Sequence, residues 1–418
     1  MQRIVIQGGN ALHGRVEISG AKNAALPLMA ATLLSDGPCD MSNVPDLGDI
    51  RTFSTLLQRL GVQVQTLGSG KMRLHAASLS CYEAPYDLVK TMRASVLLLG
   101  PLVARCGQAR VSLPGGCAIG PRPIDQHLAG LRALGAEIEL DHGYVWARAR
   151  RLCGADITLR LPTVTGTENL MMAAALARGR SRIHPAACEP EIVCLAEALQ
   201  QMGACIEGAG TDTIEIEGVP SLQPFQYAVI PDRIEAGTFA VAAAITGGHV
   251  EVGNCRPDHL EVVIQTLRRA GVVVRVDDQT VRVERGEALW PVHVDTAPYP
   301  GFPTDMQAQL MALMALAQGT STICETVFEN RFMHVAELRR MGALITVHGN
   351  VARVHGRQHA LSGAEVMATD LRASACLILA GLAAQGDTVV SRMYHLDRGY
   401  ERIEVKLAAL GAKIWRED

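Results

Sequence analysis

The stretch LRALGAEIEL at Leu131–Leu140 joins an amphipathic helix to an alternating strand through one glycine. A glycine placed there takes the left-handed conformation that ends a helix, and the period-2 apolar pattern after it is typical of a half-buried strand. Five more stretches share this shape: LLQRLGVQVQ, LQQMGACIEG, LRRAGVVVRV, LRRMGALITV and LAALGAKIWR. Their marker glycines recur every 68–74 residues, at Gly61, Gly135, Gly203, Gly271, Gly342 and Gly411. The sequence therefore predicts six copies of one structural unit.

A second helix, apolar on all sides, precedes each of these stretches and also ends in glycine. The six sequences are NAALPLMAATLLSDG, ASVLLLGPLVARCG, TGTENLMMAAALARG, GTFAVAAAITGG, DMQAQLMALMALAQG and ASACLILAGLAAQG. Helices of this kind are buried, whereas the helices that end at the marker glycines carry charge on one face and belong outside. We therefore predict an α/β fold of βαβαββ-type units with buried helices. Six units exceed one core, so we expect two domains of three units, divided near Val229–Phe239.

Composition and charge limit the classes of function. The chain has 418 residues, with 39 basic and 42 acidic ones and a net charge of −3, which does not suggest nucleic acid or a membrane surface as a partner. Its eleven cysteines are scattered without a C-x-x-C pair, which argues against disulfides and a zinc site. The chain shows no signal peptide, and its longest apolar run, Ala373–Ala384, is too short to span a bilayer. We expect a reduced, cytoplasmic protein without an obligate protein partner.

Charged or polar residues recur at the start of the apolar helices, 14 or 15 residues before the closing glycine. They are Lys22, Arg93, Thr165, Arg233, Asp305 and Arg372. Helix N-termini combined with basic side chains suit phosphates and carboxylates. The recurrence therefore predicts a cleft between the domains that binds anions. The alternative is that Thr304 and Asp305 cap a helix and the arginines pair with acids.

The loop LPGGCAIGPRPIDQHLAGL, at Leu113–Leu131, places one thiol among glycines just before a helix. A thiol close to a helix N-terminus and to Arg122 is more acidic than a free one, which suits a nucleophile or a general acid. The alternative is that Cys117 is a small buried filler. No Cys–His dyad is evident, because His127 lies too far along the helix to be assigned.

Eight segments together resemble a known family. They are ISGAKNAALP, MRAS, LPGGCAIGPRPID, PDRIE, FPTDMQAQ, TVFENRFMHV, ATDLRAS and DRGYERIE, and they resemble the enolpyruvyl transferases that act on UDP-N-acetylglucosamine. The resemblance extends from Ile4 to Lys413. It implies a two-domain inside-out α/β barrel, with one domain at 22–230, which carries the cysteine loop, and the other formed by 1–21 and 231–418.

The resemblance also implies a reaction and a site. The family transfers the enolpyruvyl group of phosphoenolpyruvate to the 3′-hydroxyl of UDP-N-acetylglucosamine and releases phosphate, which begins peptidoglycan synthesis and needs no metal or cofactor. Asp305 would act as base and Cys117 as general acid, and closure of the domains would bring the two together. Lys22 and Arg398 would complete the catalytic set. The substrate-binding residues would be Lys22, Asn23, Arg93, Arg122, Pro123, Ile124, Asp125, Thr163, Val164, Thr165, Asp305, Val327, Arg331 and Arg372.

The resemblance further implies that Cys117 forms a covalent adduct with phosphoenolpyruvate and is alkylated by fosfomycin. Relatives with aspartate in that position are active and resistant. This chain departs from many relatives at Asp46 and Gly48, where they have a basic residue, and at Leu161, where some have lysine. We therefore expect fewer diphosphate contacts and leave these three positions out of the site.

Two alternatives stay open at this point. The sister enzyme 3-phosphoshikimate 1-carboxyvinyltransferase shares the fold, but its usual pattern follows the lysine with serines and an arginine, whereas Asn-Ala-Ala-Leu follows Lys22 here. A DNA sliding clamp is also built from six α/β units. Its inner helices are basic, whereas the inner helices predicted here are apolar.

Overall fold

The strands of this protein are short. In the computed structural model, which describes residues 2–90, 92–113, 124–357 and 361–417, most of them have three to six residues. In chain order they are β1 (Arg3–Gln7), β2 (His13–Glu17), β3 (Pro38–Ser42), β4 (Gln63–Gly68), β5 (Lys71–His75), β6 (Glu83–Ala84), β7 (Gln108–Ser112), β8 (Glu137–Asp141), β9 (Tyr144–Arg148), β10 (Asp156–Thr158), β11 (Arg180–His184), β12 (Cys205–Glu207), β13 (Ile214–Glu217), β14 (Gln226–Ala228), β15 (His249–Gly253), β16 (Val272–Asp277), β17 (Thr280–Arg285), β18 (His293–Asp295), β19 (Gly319–Cys324), β20 (Leu344–His348), β21 (Val351–Gly356), β22 (Glu365–Met367), β23 (Asp387–Ser391) and β24 (Lys413–Glu417).

The helices alternate between buried and amphipathic ones along the chain. They are α1 (Lys22–Ala31), α2 (Gly48–Leu60), α3 (Tyr86–Val89), α4 (Leu99–Cys106), α5 (Asp125–Ala133), α6 (Val164–Ala174), α7 (Pro190–Gln201), α8 (Arg233–Thr246), α9 (Glu261–Arg269), α10 (Gln307–Met314), α11 (His334–Arg340), α12 (Leu371–Ala383) and α13 (Ile403–Ala409). Short 3₁₀ segments cover Thr32–Leu34, Arg93–Leu98, Pro257–Leu260, Thr304–Met306 and Met393–Arg398. None of the described helices is both long and apolar enough to cross a membrane.

All six four-stranded sheets in the described part of the chain share one topology. Each has a parallel pair at one edge, followed by two antiparallel pairs. The strand orders are β14-β3-β5-β4, β6-β7-β9-β8, β10-β11-β13-β12, β2-β15-β17-β16, β18-β19-β21-β20 and β22-β23-β1-β24. The predicted six-fold repeat and the α/β class are therefore confirmed.

The marker glycines adopt the conformation that the sequence predicts. All six have φ between 84° and 103°, the left-handed region that strains any residue with a Cβ atom. Each one turns the chain from an amphipathic helix into the strand that follows. The conformation therefore explains why glycine recurs at this position in every unit.

The described chain divides into two compact units, one formed by residues 2–19 together with those from Pro231 onward, and the other by those from Gly20 to Ile230. Each unit has its own apolar core. In the first unit the core surrounds α8, α10 and α12, and in the second it surrounds α1, α4 and α6. Every residue of α10 is buried, as expected of a helix that is apolar on all sides.

Candidate active site

The six residues singled out by the repeat all lie in the first turn of a helical segment. The caps are supplied by other residues. Asp232 accepts hydrogen bonds from the backbone N–H groups of Ile234 and Glu235, and Asp370 caps α12 in the same way. The idea that Asp305 caps a helix is wrong, because its side chain caps nothing and pairs with two arginines instead.

Asp305 lies between two buried guanidinium groups. Its Oδ1 accepts a hydrogen bond from Arg331 Nη2 at 2.7 Å, and its Oδ2 accepts one from Arg372 Nη2 at 2.8 Å. The side chains of the two arginines are only 6% and 5% exposed. Burial alone would raise the pKa of Asp305, but the two positive charges outweigh it and hold that pKa well below its usual range. Asp305 is therefore a carboxylate at neutral pH.

Arg372 keeps donors for a further partner. Its Nε and Nη1 atoms are buried and have no hydrogen-bond acceptor among the described residues, although its guanidinium lies 5.4 Å from the centre of the Tyr400 ring. Buried donors are nearly always hydrogen-bonded in proteins. An anion bound beside Arg372 would satisfy them.

A cluster of buried polar side chains holds the backbone of Asp305. Gln309 Nε2 donates to the backbone oxygen of Asp305 at 2.9 Å, and it also contacts Thr238 Oγ1 at 3.2 Å and the Tyr400 hydroxyl at 3.3 Å. The Thr238 and Tyr400 hydroxyl groups share a hydrogen bond of 2.9 Å. Because Thr238 lies on α8, Gln309 on α10 and Tyr400 in the segment after Arg398, two buried helices and this segment together fix the backbone at Asp305.

In the other unit, Lys22 begins α1, and its Nζ lies 3.2 Å from Oδ2 of buried Asp49 on α2. The charge of Lys22 is thus held near the helix start with most of its side chain covered. Asn23, the next residue, is exposed. The expected role of Lys22 and Asn23 in binding a ligand stays a prediction.

A chain of hydrogen bonds in the same unit fixes the direction in which Thr165 can donate. Asn169 Oδ1 accepts from the Gly100 N–H at 2.7 Å, so its amide nitrogen must donate to His127 Nδ1 at 3.1 Å. The ring proton of neutral His127 is then on Nε2, which contacts Thr165 Oγ1 at 3.3 Å. The hydroxyl hydrogen of Thr165 is consequently directed away from His127.

The other expected ligand residues of this unit are neighbours in sequence of the hydrogen-bonded residues Thr165 and His127. Thr163 caps α6 by accepting from the Gly166 N–H, and Val164 is the first residue of that helix. Asp125 begins α5 and pairs with Arg160 at 3.3 Å, while Ile124 before it is buried. Gln126 links the start of α5 to the segment before α6, because its Oε1 accepts from the backbone N–H groups of Arg160 and Leu161.

Comparison with known proteins identifies the family. A family model for EPSP synthase (3-phosphoshikimate 1-carboxyvinyltransferase) matches residues 6–407. Curated proteins named UDP-N-acetylglucosamine 1-carboxyvinyltransferase from Desulfosudis oleivorans, Myxococcus xanthus and Anaeromyxobacter sp. (strain K) are 57%, 58% and 60% identical to this chain. Each alignment covers 100% of the chain and at least 99% of the relative. The chain belongs to the enolpyruvyl transferase family.

Solved structures agree with this assignment to the enolpyruvyl transferases. The enolpyruvyl transferase NikO from Streptomyces tendae has a TM-score of 0.90 and 29% identity, over 99% of this chain and 98% of that one. EPSP synthase from Acinetobacter baumannii has a TM-score of 0.78 and 18% identity over the whole of both chains, which shows the shared fold. The alternative of a DNA clamp is thereby removed, and the inside-out α/β architecture expected from the resemblance is confirmed.

Several of the expected enolpyruvyl transferase residues are not part of the cluster around Asp305. Val327 is exposed, and Arg398 ends the 3₁₀ segment Met393–Arg398. Cys117, Arg122 and Pro123 lie outside the described residues, as does the side chain of Arg93. Their assignment to the site stays a prediction.

The structure also shows buried polar residues that sequence reasoning missed. Glu168 is almost fully buried on α6, and burial, together with Glu191 and Glu189, raises its pKa well above the usual value. Glu325 is equally buried and lies two residues before Val327. The one available signal was a glutamate close to apolar residues, as in TENLMM and STICET.

Proposed function

We propose that this protein transfers the enolpyruvyl group of phosphoenolpyruvate to the 3′-hydroxyl of UDP-N-acetylglucosamine, releasing phosphate as the first committed step of peptidoglycan synthesis. The observation that carries the proposal is the 57–60% identity, over whole chains, to enzymes of that name. The ion cluster of Asp305, Arg331 and Arg372 supports it, because two buried guanidinium groups beside an ionised carboxylate suit the binding of an anionic substrate next to a proton acceptor.

In the proposed mechanism, the sugar oxygen attacks C2 of phosphoenolpyruvate while its proton passes to Asp305. The C3 methylene takes a proton from Cys117, which gives a tetrahedral intermediate. The Cys117 thiolate then takes back a proton from C3 while phosphate departs from C2, which restores the carbon–carbon double bond. The anionic groups of the substrates are bound by Lys22, Arg122 and Arg398, and the uridine diphosphate by the segments around Thr165 and Val327.

The low pKa of Asp305 makes it a weak base as long as both arginines are bound to it. A general base works best when its pKa lies near the working pH. A substrate anion that approaches Arg331 or Arg372 competes with Asp305 for that guanidinium. Substrate binding therefore raises the pKa of Asp305 and makes it a better proton acceptor when the sugar hydroxyl is in place.

We place this reaction in the cytoplasm. The ten cysteines among the described residues are all free thiols, as is usual for proteins of a reducing compartment. Both substrates are small anions, which agrees with the basic groups found at the helix starts.

The decisive experiment measures phosphate release from phosphoenolpyruvate with each acceptor in turn. We expect release with UDP-N-acetylglucosamine and none without an acceptor. Equal or faster release with shikimate 3-phosphate would assign the chain to the sister activity instead. Arg73 forms an exposed surface pair with Asp40. The variant Arg73→Gln, which loses this guanidinium, should therefore leave the rate of phosphate release unchanged and serves as a control.

A further inference from the structure

A buried carboxylate outside the ion cluster organises the turn that carries Asp305. Glu325 directly follows β19 and is only 3% exposed. Its Oε1 accepts hydrogen bonds from the Thr296 hydroxyl at 2.9 Å and from the backbone N–H groups of Val327 and Phe328 at 2.9 and 3.1 Å. Its Oε2 accepts one from the Thr304 hydroxyl at 2.8 Å. Glu325 therefore ties three separate parts of the chain to one carboxylate.

The direction of these hydrogen bonds decides what Thr304 can do. A guanidinium only donates, so the Thr304 hydroxyl accepts from Arg331 and gives its own hydrogen to Glu325 Oε2. The lone pairs of that hydroxyl oxygen then face Arg331, whose Nη1 lies 3.3 Å away. The other terminal nitrogen of the same guanidinium, Nη2, donates to Asp305 at 2.7 Å. One planar group is thus held at two points.

We propose that Glu325 is a positioning residue for the reaction, acting through the Thr304 hydroxyl to orient Arg331 toward Asp305. The proposal rests on the proposed function, since it assigns Glu325 to the turnover of that same site. A guanidinium is a rigid fork, so fixing Nη1 fixes the direction of Nη2. The negative charge behind Thr304 also strengthens the hydrogen bond that the hydroxyl accepts from Arg331.

An amide cannot replace this carboxylate. In the variant Glu325→Gln the amide oxygen must face the three donors on the Oε1 side, which leaves the amide NH₂ pointing at Thr304. The hydroxyl then becomes an acceptor for that NH₂, and its own hydrogen loses its partner. Arg331 loses the fixed contact at Nη1, and Asp305 loses part of the charge that keeps it ionised.

The groups that act on Asp305 are few, which makes a pH profile informative. Arg331 and Arg372 lower its pKa. Asp232 and Tyr400 act on Arg372. Loosening Arg331 therefore raises the pKa of Asp305, and the acid limb of the kcat profile moves to higher pH. Glu325→Gln also removes a nearby negative charge, which acts in the opposite direction. Thr304→Val keeps that charge and should therefore show the larger shift.

The test uses three variants of the full chain: Glu325→Gln, Thr304→Val, which removes the hydroxyl but keeps the shape, and Thr304→Ser, which keeps the hydroxyl. We expect the first two to lower kcat about 10-fold or more, as small misplacements of catalytic groups do, with a smaller change in KM. Both should move the acid limb upward, and Thr304→Ser should behave like the wild type. The double variant Glu325→Gln/Thr304→Val should be no slower than the slower single variant.

An unchanged pH profile in Thr304→Val, or additive losses in the double variant, would overturn the proposal. A wild-type protein inactive with UDP-N-acetylglucosamine would instead refute the proposed function. In that case the positioning role is decided on the protein alone, by denaturant unfolding of each chain with and without Asp305→Asn. Orientation by Glu325 requires the cost of Asp305→Asn to be smaller in the Glu325→Gln and Thr304→Val backgrounds, and equal costs would exclude it.

Discussion

Replacing Asp305 by asparagine should destabilise its unit in a way that depends on pH. The change keeps the shape of the side chain but removes a charge that two buried guanidinium groups share. The amide oxygen can still accept from one arginine, whereas the amide NH₂ then opposes a donor of the other. Leaving a buried charge without its partner costs about 3–5 kcal/mol. Since Asp305 is itself 25% exposed, we expect a loss near the lower end, about 3 kcal/mol.

The pH dependence follows from the direction of the pKa shift. The folded-state pKa of Asp305 lies well below the usual value, so its charge contributes stability that is fully present above the unfolded pKa of about 3.9. That contribution disappears as the pH falls through the folded pKa. The difference between wild type and Asp305→Asn should therefore be constant between about pH 5 and 8 and shrink only below about pH 4.

Denaturant unfolding at several pH values measures this difference directly. Asp40→Asn is the matched control, because Asp40 pairs with Arg73 through two hydrogen bonds of 2.7 Å at the surface, where ion pairs contribute little. The reasoning would be refuted if Asp305→Asn cost no more than Asp40→Asn at pH 7. It would also fail if the cost rose as the pH fell.

Three further outcomes are expected. Fosfomycin should inactivate the protein and label Cys117 alone, faster with UDP-N-acetylglucosamine present; mass spectrometry showing label on exposed Cys153 or Cys205 would contradict the reading of the loop. Small-angle scattering should show a smaller radius when the sugar nucleotide binds, and an unchanged radius would count against closure of the domains. In ¹⁵N NMR at neutral pH, His127 should carry its ring proton on Nε2, as its contact with Asn169 requires, and a proton on Nδ1 would show that Thr165 is oriented otherwise.

The fold was predictable from the sequence because its signals are local. Each marker glycine, such as Gly135, indicates the end of a helix and the start of a strand within ten residues. The six-fold repetition of this pattern makes the prediction secure. The charged helix starts were found for the same reason. Lys22 and Arg372 occupy equivalent positions in a repeat, so their shared location required no knowledge of tertiary contacts.

The interactions inside the site were less predictable because they join distant parts of the chain. Asp305 is hydrogen-bonded to Arg372, which lies 67 positions away in the sequence, and Glu325 to Thr296, which lies 29 positions away. No periodicity marks such pairs, since they depend on which loops the sheets bring together. His127 illustrates the limit. From the sequence it could not be assigned any role, because it lies too far along the helix to pair with Cys117, whereas the structure places it against Asn169 and Thr165.

The place of β1 between β23 and β24 has a consequence for how the polypeptide folds as it leaves the ribosome. Arg3 pairs with Ser391 on one side and Glu417 on the other, so this strand emerges first and finds its neighbours last. About 380 residues separate it from β23, which at typical translation speeds is roughly 20–80 s of synthesis. The Gly20–Ile230 unit is complete long before then. Meanwhile β1 keeps two unpaired edges that other nascent chains or chaperones can reach.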